Sequence, residues 1–270
     1  MEKQVVLVTG ASSGMGRDFA LRLLAEGYVV YGAARRAGRM QEIRDAGGFV
    51  LSMDVTDEAS MAAGVDDIIR RHGRIDVLIN SAGYGQYGAL EDVPLDEARR
   101  QMEINLFGLA RLTQICLPHM RSRKFGKIFN ISSIAGRFAA PLGGWYHASK
   151  FALEAYSDTL RLETAPFGID VVVIQPGGIQ SEWADIAAEE AQRLSGRGVY
   201  AGLVAKLFKL QASQSKGSAP RVISDLIVKA LKARKPKTRY HAGFMASPVL
   251  FLRSLLSDRM FDRMLMLALK

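Results

Sequence analysis

The 270-residue chain has a single cysteine, Cys116, which excludes an intrachain disulfide. Its place in an apolar helical pattern reads as a buried core thiol rather than a nucleophile. No stretch approaches the ~18 uninterrupted apolar residues of a membrane span. The first apolar run, Val5-Val6-Leu7-Val8, is too short for a secretory core, and no small-residue cleavage site follows it. A cytoplasmic protein fits these absences. His72, His119 and His241 lack metal-ligand spacing and no cysteine pair accompanies them, so no metal is expected. Zinc-finger, RNA-recognition and helix-turn-helix patterns are missing, as are internal repeats and low-complexity segments.

Positive charge is not scarce: the formal net charge is +9. The excess sits at Arg35, Arg36 and Arg39 and in the run Lys229, Lys232, Arg234, Lys235, Lys237 and Arg239. It reads as a solvated basic face that also attracts an anionic cofactor, in preference to nucleic acid or an anionic membrane.

Short β-branched runs alternate with longer segments of helical period. That alternation predicts an α/β fold, a Rossmann-type doubly wound parallel sheet of about seven strands with helices on both faces. Strands are expected at 4–9, 28–33, 49–53, 76–80, 127–132 and 170–175, with a weaker one near 238–242. Helices are expected near 14–26, 37–46, 57–72, 95–122, 145–165 and 220–233. The whole chain, 1–270, reads as one domain with two elaborations. Residues 180–218, with Trp183, Tyr200, Leu203, Leu207 and Phe208, read as a long irregular lid or binding loop. Residues 247–270 are amphipathic and Met-rich. Packing on the chain's own core or on a partner subunit is preferred there over a seat on a membrane surface.

Val5–Val8 leads into Thr9-Gly10-Ala11-Ser12-Ser13-Gly14-Met15-Gly16 and then a helix. Strand, glycine turn and helix in that order form an anion site, because free N–H groups and the positive dipole end face the ligand. Gly10 permits a tight turn, while Gly14 and Gly16 let backbone and helix approach a pyrophosphate. An NAD site places an acid at the end of the second strand to bond the ribose. Here that strand ends in Arg35 and Arg36. A guanidinium can hold a 2′-phosphate that a carboxylate would repel, so NADP(H) is expected over NAD(H). Asp54, followed by Val55, is a candidate partner for the adenine amine, with an N-cap of the next helix as its rival role.

Tyr146 and Lys150 are four apart and share a helical face. A phenol of ordinary pKa near 10 is a reluctant proton donor or acceptor at neutral pH. A nearby ammonium favours the phenolate and brings it into use. Tyr146 would then give its proton to a carbonyl oxygen as hydride reaches the carbon, with Ser133 steadying the developing alkoxide. His147 is turned about 100° around the helix from Tyr146, which suits a specificity or surface role.

Four features in order resemble the short-chain dehydrogenase/reductase family: Thr9-Gly10-x-x-x-Gly14-x-Gly16, Asn80-Ser81-Ala82-Gly83, Ser133, and Tyr146-x-x-x-Lys150. The step of thirteen residues from Ser133 to Tyr146 fits as well. The resemblance implies a catalytic group of Asn105, Ser133, Tyr146 and Lys150, with Asn105 anchoring a water-mediated proton relay to the lysine. It implies cofactor contacts from Gly10, Ser12, Ser13, Gly14, Met15, Gly16, Arg35, Arg36, Asp54, Val55, Asn80, Ala82, Gly83, Tyr146 and Lys150. It extends them to Pro176, Gly177, Ile179 and Ser181, where Pro176-Gly177-Gly178-Ile179-Gln180-Ser181 is similar to the family's Pro-Gly-x-x-x-Thr. Family members are commonly dimers or tetramers.

Loops 85–93, 134–144 and 180–210 are expected to wall the substrate pocket with Tyr84, Tyr87, Phe138, Leu142, Trp145 and Trp183, and with few charges. Such lining suits an apolar ketone, aldehyde or secondary alcohol, and the resemblance to the family's steroid- and retinoid-handling branches implies a steroid- or retinoid-like alcohol as one such substrate. The competing reading is a non-catalytic NADP(H)-binding sensor or interaction protein. Ser133, Tyr146, Lys150 and Asn105 together argue against it.

Overall fold

The computed structural model describes residues 3–181, 183–213 and 217–269. The side chain of Phe208 lies outside that description, as do residues 1, 2 and 270.

Seven parallel strands make one sheet: β1 (Val5–Thr9), β2 (Val29–Ala34), β3 (Phe49–Ser52), β4 (Val77–Asn80), β5 (Gly126–Ile131), β6 (Ile169–Pro176) and β7 (Arg239–Ala242). Their order is β3-β2-β1-β4-β5-β6-β7. The chain winds outward from β1 in one direction, then restarts at β4 and winds in the other. A crevice therefore opens above the carboxyl ends of β1 and β4, where the connections diverge. All seven expected strands occur within about two residues of their predicted bounds.

The strands are apolar on both faces because helices cover both. One face packs around Val6, Val8, Phe19, Leu23, Phe129, Ile174, Ile223 and Ile227. This layer includes α1 (Gly14–Ala25) and α9 (Arg221–Lys232). The other packs around Leu7, Leu78, Met61, Ile68, Leu112, Cys116 and Ile128, from α3 (Glu58–His72) and α5 (Gly108–Ser122). Cys116 is fully buried there, and burial pushes its thiol up to about 12. The register of β1 against β4 is fixed at its foot by Asp76, which is fully buried. Its carboxylate accepts from the Val5 N–H at 2.8 Å and from Arg74 at 2.6 Å.

Three expectations change. The segment 37–46 forms only a 3-10 turn and the short α2 (Gln41–Asp45). The helix expected over 95–122 is interrupted: α4 (Leu95–Met102) passes through a π-turn at Glu103–Phe107 into α5. The excursion 180–218 is largely helical, as α7 (Trp183–Ser195) and α8 (Ala201–Ser213). Small residues hid its period. Ala187, Ala188, Ala191 and Val204 are buried, and Ala191 and Val204 join Leu142 and Ala89 in a satellite core.

The remaining helices are α6 (Gly144–Thr164), which carries Tyr146, and two terminal ones, α10 (Ala246–Leu255) and α11 (Asp258–Ala268). Phe261 of α11 is buried and packs 5.6 Å from the Phe138 ring, so this segment covers one wall of the cleft. Phe251, Leu255, Met260 and Leu267 stay exposed. Among the described residues no helix is long and apolar enough to cross a membrane. Arg239, expected in a solvated basic run, is instead ion-paired with Glu154 at 2.9 Å and Asp158 at 2.7 Å.

Candidate active site

A cleft of about 950 Å³ opens above the carboxyl ends of the strands. Its floor is the glycine turn. Gly10 has φ +70°, and a Cβ there would stand 3.0 Å from the Ala82 backbone. A Cβ on Gly16 would meet the Gly10 carbonyl oxygen at 2.4 Å. Side chains at either position would force the turn apart. Ser13 precedes α1 in extended conformation with no side-chain cap, which leaves the first N–H groups of the helix available to an anion. Thr9 ties the turn to the next wall: its Oγ1 accepts from the N–H groups of Ser81 and Ala82, each at 3.0 Å.

Arg35 and Arg36 stand exposed at the end of β2, lining the cleft near Asp54 and Val55. Asp54 is not an N-cap. Asp57 caps α3, accepting from Ala59 and Ser60, while Asp54 accepts from the Thr56 N–H at 2.9 Å. Arg99 and Arg100 of α4 converge with Arg35, Asp54 and Thr56 on one hollow. Sequence reasoning missed this second arginine pair, because some sixty residues separate it from Arg35 and helix α4 otherwise reads as a solvated face.

The expected catalytic residues lie at the other end. Ser133 follows β5, and its Oγ accepts from the Ala135 N–H at 3.1 Å. Tyr146 lines the same cleft as Ser133. Burial pushes the Tyr146 phenol up to about 12, against the lowering expected from Lys150, and the neighbouring Ser133 hydroxyl opposes the rise. Lys150 is buried with Nζ 5.8 Å from the centre of the Tyr146 ring, donating to the Ile131 carbonyl at 2.8 Å. Burial lowers its ammonium to about 8, against the pull of Glu154.

Asn105 sits in the π-turn, a widened turn that redirects its side chain inward. Its Nδ2 donates to the Tyr84 carbonyl at 2.9 Å and to Ser149 Oγ at 3.1 Å, and its Oδ1 accepts from the Tyr84 N–H at 3.1 Å. A Cβ on Gly83 would stand 3.1 Å from Asn105 Oδ1 and 3.9 Å from Lys150 Nζ. The carbonyl oxygen and the ammonium therefore both lie near one point. Asn105 and Lys150 lie beneath the cleft rather than on its wall, and so does Asn80. Asn80 is a buried strut that donates to Asn130 Oδ1 at 2.9 Å and to Thr113 Oγ1 at 3.2 Å. The other expected residues, Ser12, Gly14, Met15, Ala82, Gly83, Pro176, Gly177, Ile179 and Ser181, line the cleft.

His147 is not at the surface. It is buried, with Nδ1 2.9 Å from the Ala135 carbonyl, and its Nε2 accepts from the Ala140 N–H at 3.2 Å. It ties the 135–140 wall to α6, and burial lowers its pKa, which favours the neutral ring. The walls differ from expectation too. Tyr84, Tyr87, Phe138 and Trp183 face the cleft, but Leu142 and Trp145 do not. Glu97, Arg100, Glu190 and Arg193 line it as well, so charge is scarce beside Tyr146 and not elsewhere. Among the described residues no group of three or more His, Cys, Asp or Glu side chains converges as a metal site.

The sequence profile described as short chain dehydrogenase matches residues 4–192, which span the glycine turn, Asn105, Ser133, Tyr146 and Lys150. The chain belongs to the short-chain dehydrogenase family. It is an oxidoreductase of that family, and its relatives are named as dehydrogenases and reductases. The probable short-chain type dehydrogenase/reductase VdlC of Helicobacter pylori is 38% identical, over 96% of this chain and 95% of its own. The 3-ketodihydrosphingosine reductase of Bacteroides thetaiotaomicron is 38% identical, over 94% of this short-chain dehydrogenase and 93% of its own length. A short-chain dehydrogenase structure from Streptomyces avermitilis superposes with a TM-score of 0.82 at 34% identity, covering 94% of each chain.

Proposed function

We propose that the protein transfers hydride between NADP(H) and an apolar ketone, aldehyde or secondary alcohol, with Tyr146 as the proton donor and acceptor. The observation that carries this reading is the buried Tyr146 phenol, with Lys150 Nζ 5.8 Å from its ring centre, on the same cleft as Ser133 and an uncapped helix N-terminus.

The residues fit the cofactor. Gly10 and Gly16 leave a floor that a Cβ would fill, and the first turn of α1 offers N–H groups to a pyrophosphate. Arg35, with Arg36, Arg99 and Arg100 nearby, supplies guanidinium groups for a 2′-phosphate. When bound, the dinucleotide supplies or takes the hydride. The protein manages the proton. Tyr146 gives it to the carbonyl oxygen, Ser133 donates to the same oxygen and stabilises its growing negative charge, and Lys150 favours the phenolate left behind. Asn105 Oδ1, close to the same point beside Gly83 as Lys150 Nζ, would hold a water that returns a proton. The relative that reduces 3-ketodihydrosphingosine supports an apolar ketone as the substrate class. Assembly as a homodimer or homotetramer belongs to this reading: Phe151 and Leu162 stand exposed three turns apart on one face of α6.

NADPH absorbance should fall with some member of a panel of ketones and aldehydes. Arg35→Asp should weaken NADPH binding tenfold or more relative to NADH, since it replaces an attraction for the 2′-phosphate by a repulsion. An unchanged NADPH-to-NADH ratio in the variant would contradict the cofactor assignment.

A further inference from the structure

Three aromatic rings meet at the reacting centre. Tyr87 lies 6.0 Å from Tyr146, Trp183 lies 5.1 Å from Tyr146, and Tyr87 and Trp183 are 5.6 Å apart, all between ring centres. These are contact spacings for aromatic pairs. A further ring slid between two of them would need centres about 7 Å apart, two carbon contact distances. His147 closes a third side, 6.1 Å from the Tyr146 ring. The Tyr146 hydroxyl is thus reached past the edge of a closed triangle.

Two glycines seat the rings. A Cβ on Gly85 would stand 2.4 Å from Trp183 Cζ2, and one on Gly143 would stand 3.1 Å from Tyr87 Cε1. Trp183 therefore lies close against bare backbone, in a place that exists only because residue 85 has no side chain. Helix α7 holds it from the other end. Trp183, Ile186, Glu190 and Arg193 follow at helical spacing, and all four line the cleft. Arg193 is bonded to Glu97 of α4 at 2.8 Å, and Gln86 donates to Glu190 at 3.2 Å. The tryptophan is pinned at both ends.

Resting on the reaction proposed above, we infer that Trp183, seated on Gly85, sets substrate shape, admitting slender acyclic carbonyl compounds and excluding fused-ring ones. A methylene chain bends around the ring edges with a carbonyl presented to Tyr146. A rigid bicyclic ketone must displace the indole, and so break its contacts with Tyr87, Tyr146 and the Gly85 backbone. This narrows the substrate class to open-chain apolar carbonyls and sets aside steroid-like ones.

The test compares 2-decanone with 2-tetralone, ketones of equal carbon number, in NADPH-dependent reduction. The wild-type protein should prefer 2-decanone at least tenfold in kcat/KM. Trp183→Ala should bring that ratio close to one, chiefly by improving 2-tetralone, and Trp183→Phe should fall between. Gly85→Ala leaves the indole present but unseats it, and should shift the ratio in the same direction. NADPH affinity and thermal midpoint, measured on every variant, separate this from a failure to fold. Wild-type preference for 2-tetralone, or a ratio unmoved by Trp183→Ala and Gly85→Ala, would overturn the gate and leave the reaction standing. No turnover of either ketone by NADPH-loaded wild-type protein would overturn the reaction and the gate with it.

Discussion

Lys150 shows how burial sets the chemistry of a single side chain. An amine in water keeps its proton up to about pH 10.4, whereas the buried Lys150 holds it only to about 8. Between those values the unfolded chain binds a proton that the native one has released, so stability rises with pH across the window. Tyr146 acts in the opposite sense higher up. Its phenol keeps a proton to about 12 that the unfolded chain loses near the ordinary value of about 10, so stability falls there. Urea midpoints of the wild-type protein should therefore gain on those of Lys150→Met as the pH rises from 7.5 to 9.5. All other titrating groups are common to both proteins, and parallel curves would contradict the assignment. The spacing of Tyr146 and Lys150 made their shared face legible in the sequence. The shared position of Asn105 Oδ1 and Lys150 Nζ beside Gly83 was not, because it depends on a π-turn that no local pattern announces.

At the scale of elements, strands were the most legible features, because parallel strands covered on both faces are continuous apolar runs. Helices α7 and α8 were not, since Ala187, Ala188 and Ala191 make a buried face without large residues. What joins the elements beneath the cleft also escaped the sequence. Asn80 of β4 donates to Asn130 of β5, and Asn130 Nδ2 donates to Ser157 Oγ of α6 at 2.9 Å. Thr113 of α5 completes the chain, accepting from Asn80 and donating to the Leu109 carbonyl at 2.8 Å. Four polar side chains thus tie two strands to the two helices that carry and support Tyr146. Asn130→Ala would leave one buried amide hydrogen of Asn80 without its acceptor, at a cost of ~1–3 kcal/mol, while Asn80 keeps Thr113 and the Ser157 hydroxyl keeps the Leu153 carbonyl. A fall of several degrees in thermal midpoint is expected, and an unchanged midpoint would show that the network contributes little.

Across the whole molecule, the doubly wound topology brings together residues that are remote in sequence. The glycine turn after β1, the arginines after β2, Arg100 of α4, Ser133 after β5 and Ile179 after β6 all line one cleft. The order of motifs along the chain announced this convergence, because connections of one hand leave a single rim for every strand's carboxyl end. The pairing of α4 with α7 through Glu97 and Arg193 carried no such signal. The central claim is that this assembly delivers a proton from Tyr146 to a carbonyl oxygen. Its most direct test is the turnover of Tyr146→Phe in NADPH-dependent ketone reduction, with NADPH binding measured on the same preparation. General acid catalysis contributes ~10²–10⁴ in rate, so kcat should fall within that range while NADPH affinity stays within about twofold of wild type. An undiminished kcat in Tyr146→Phe would contradict it.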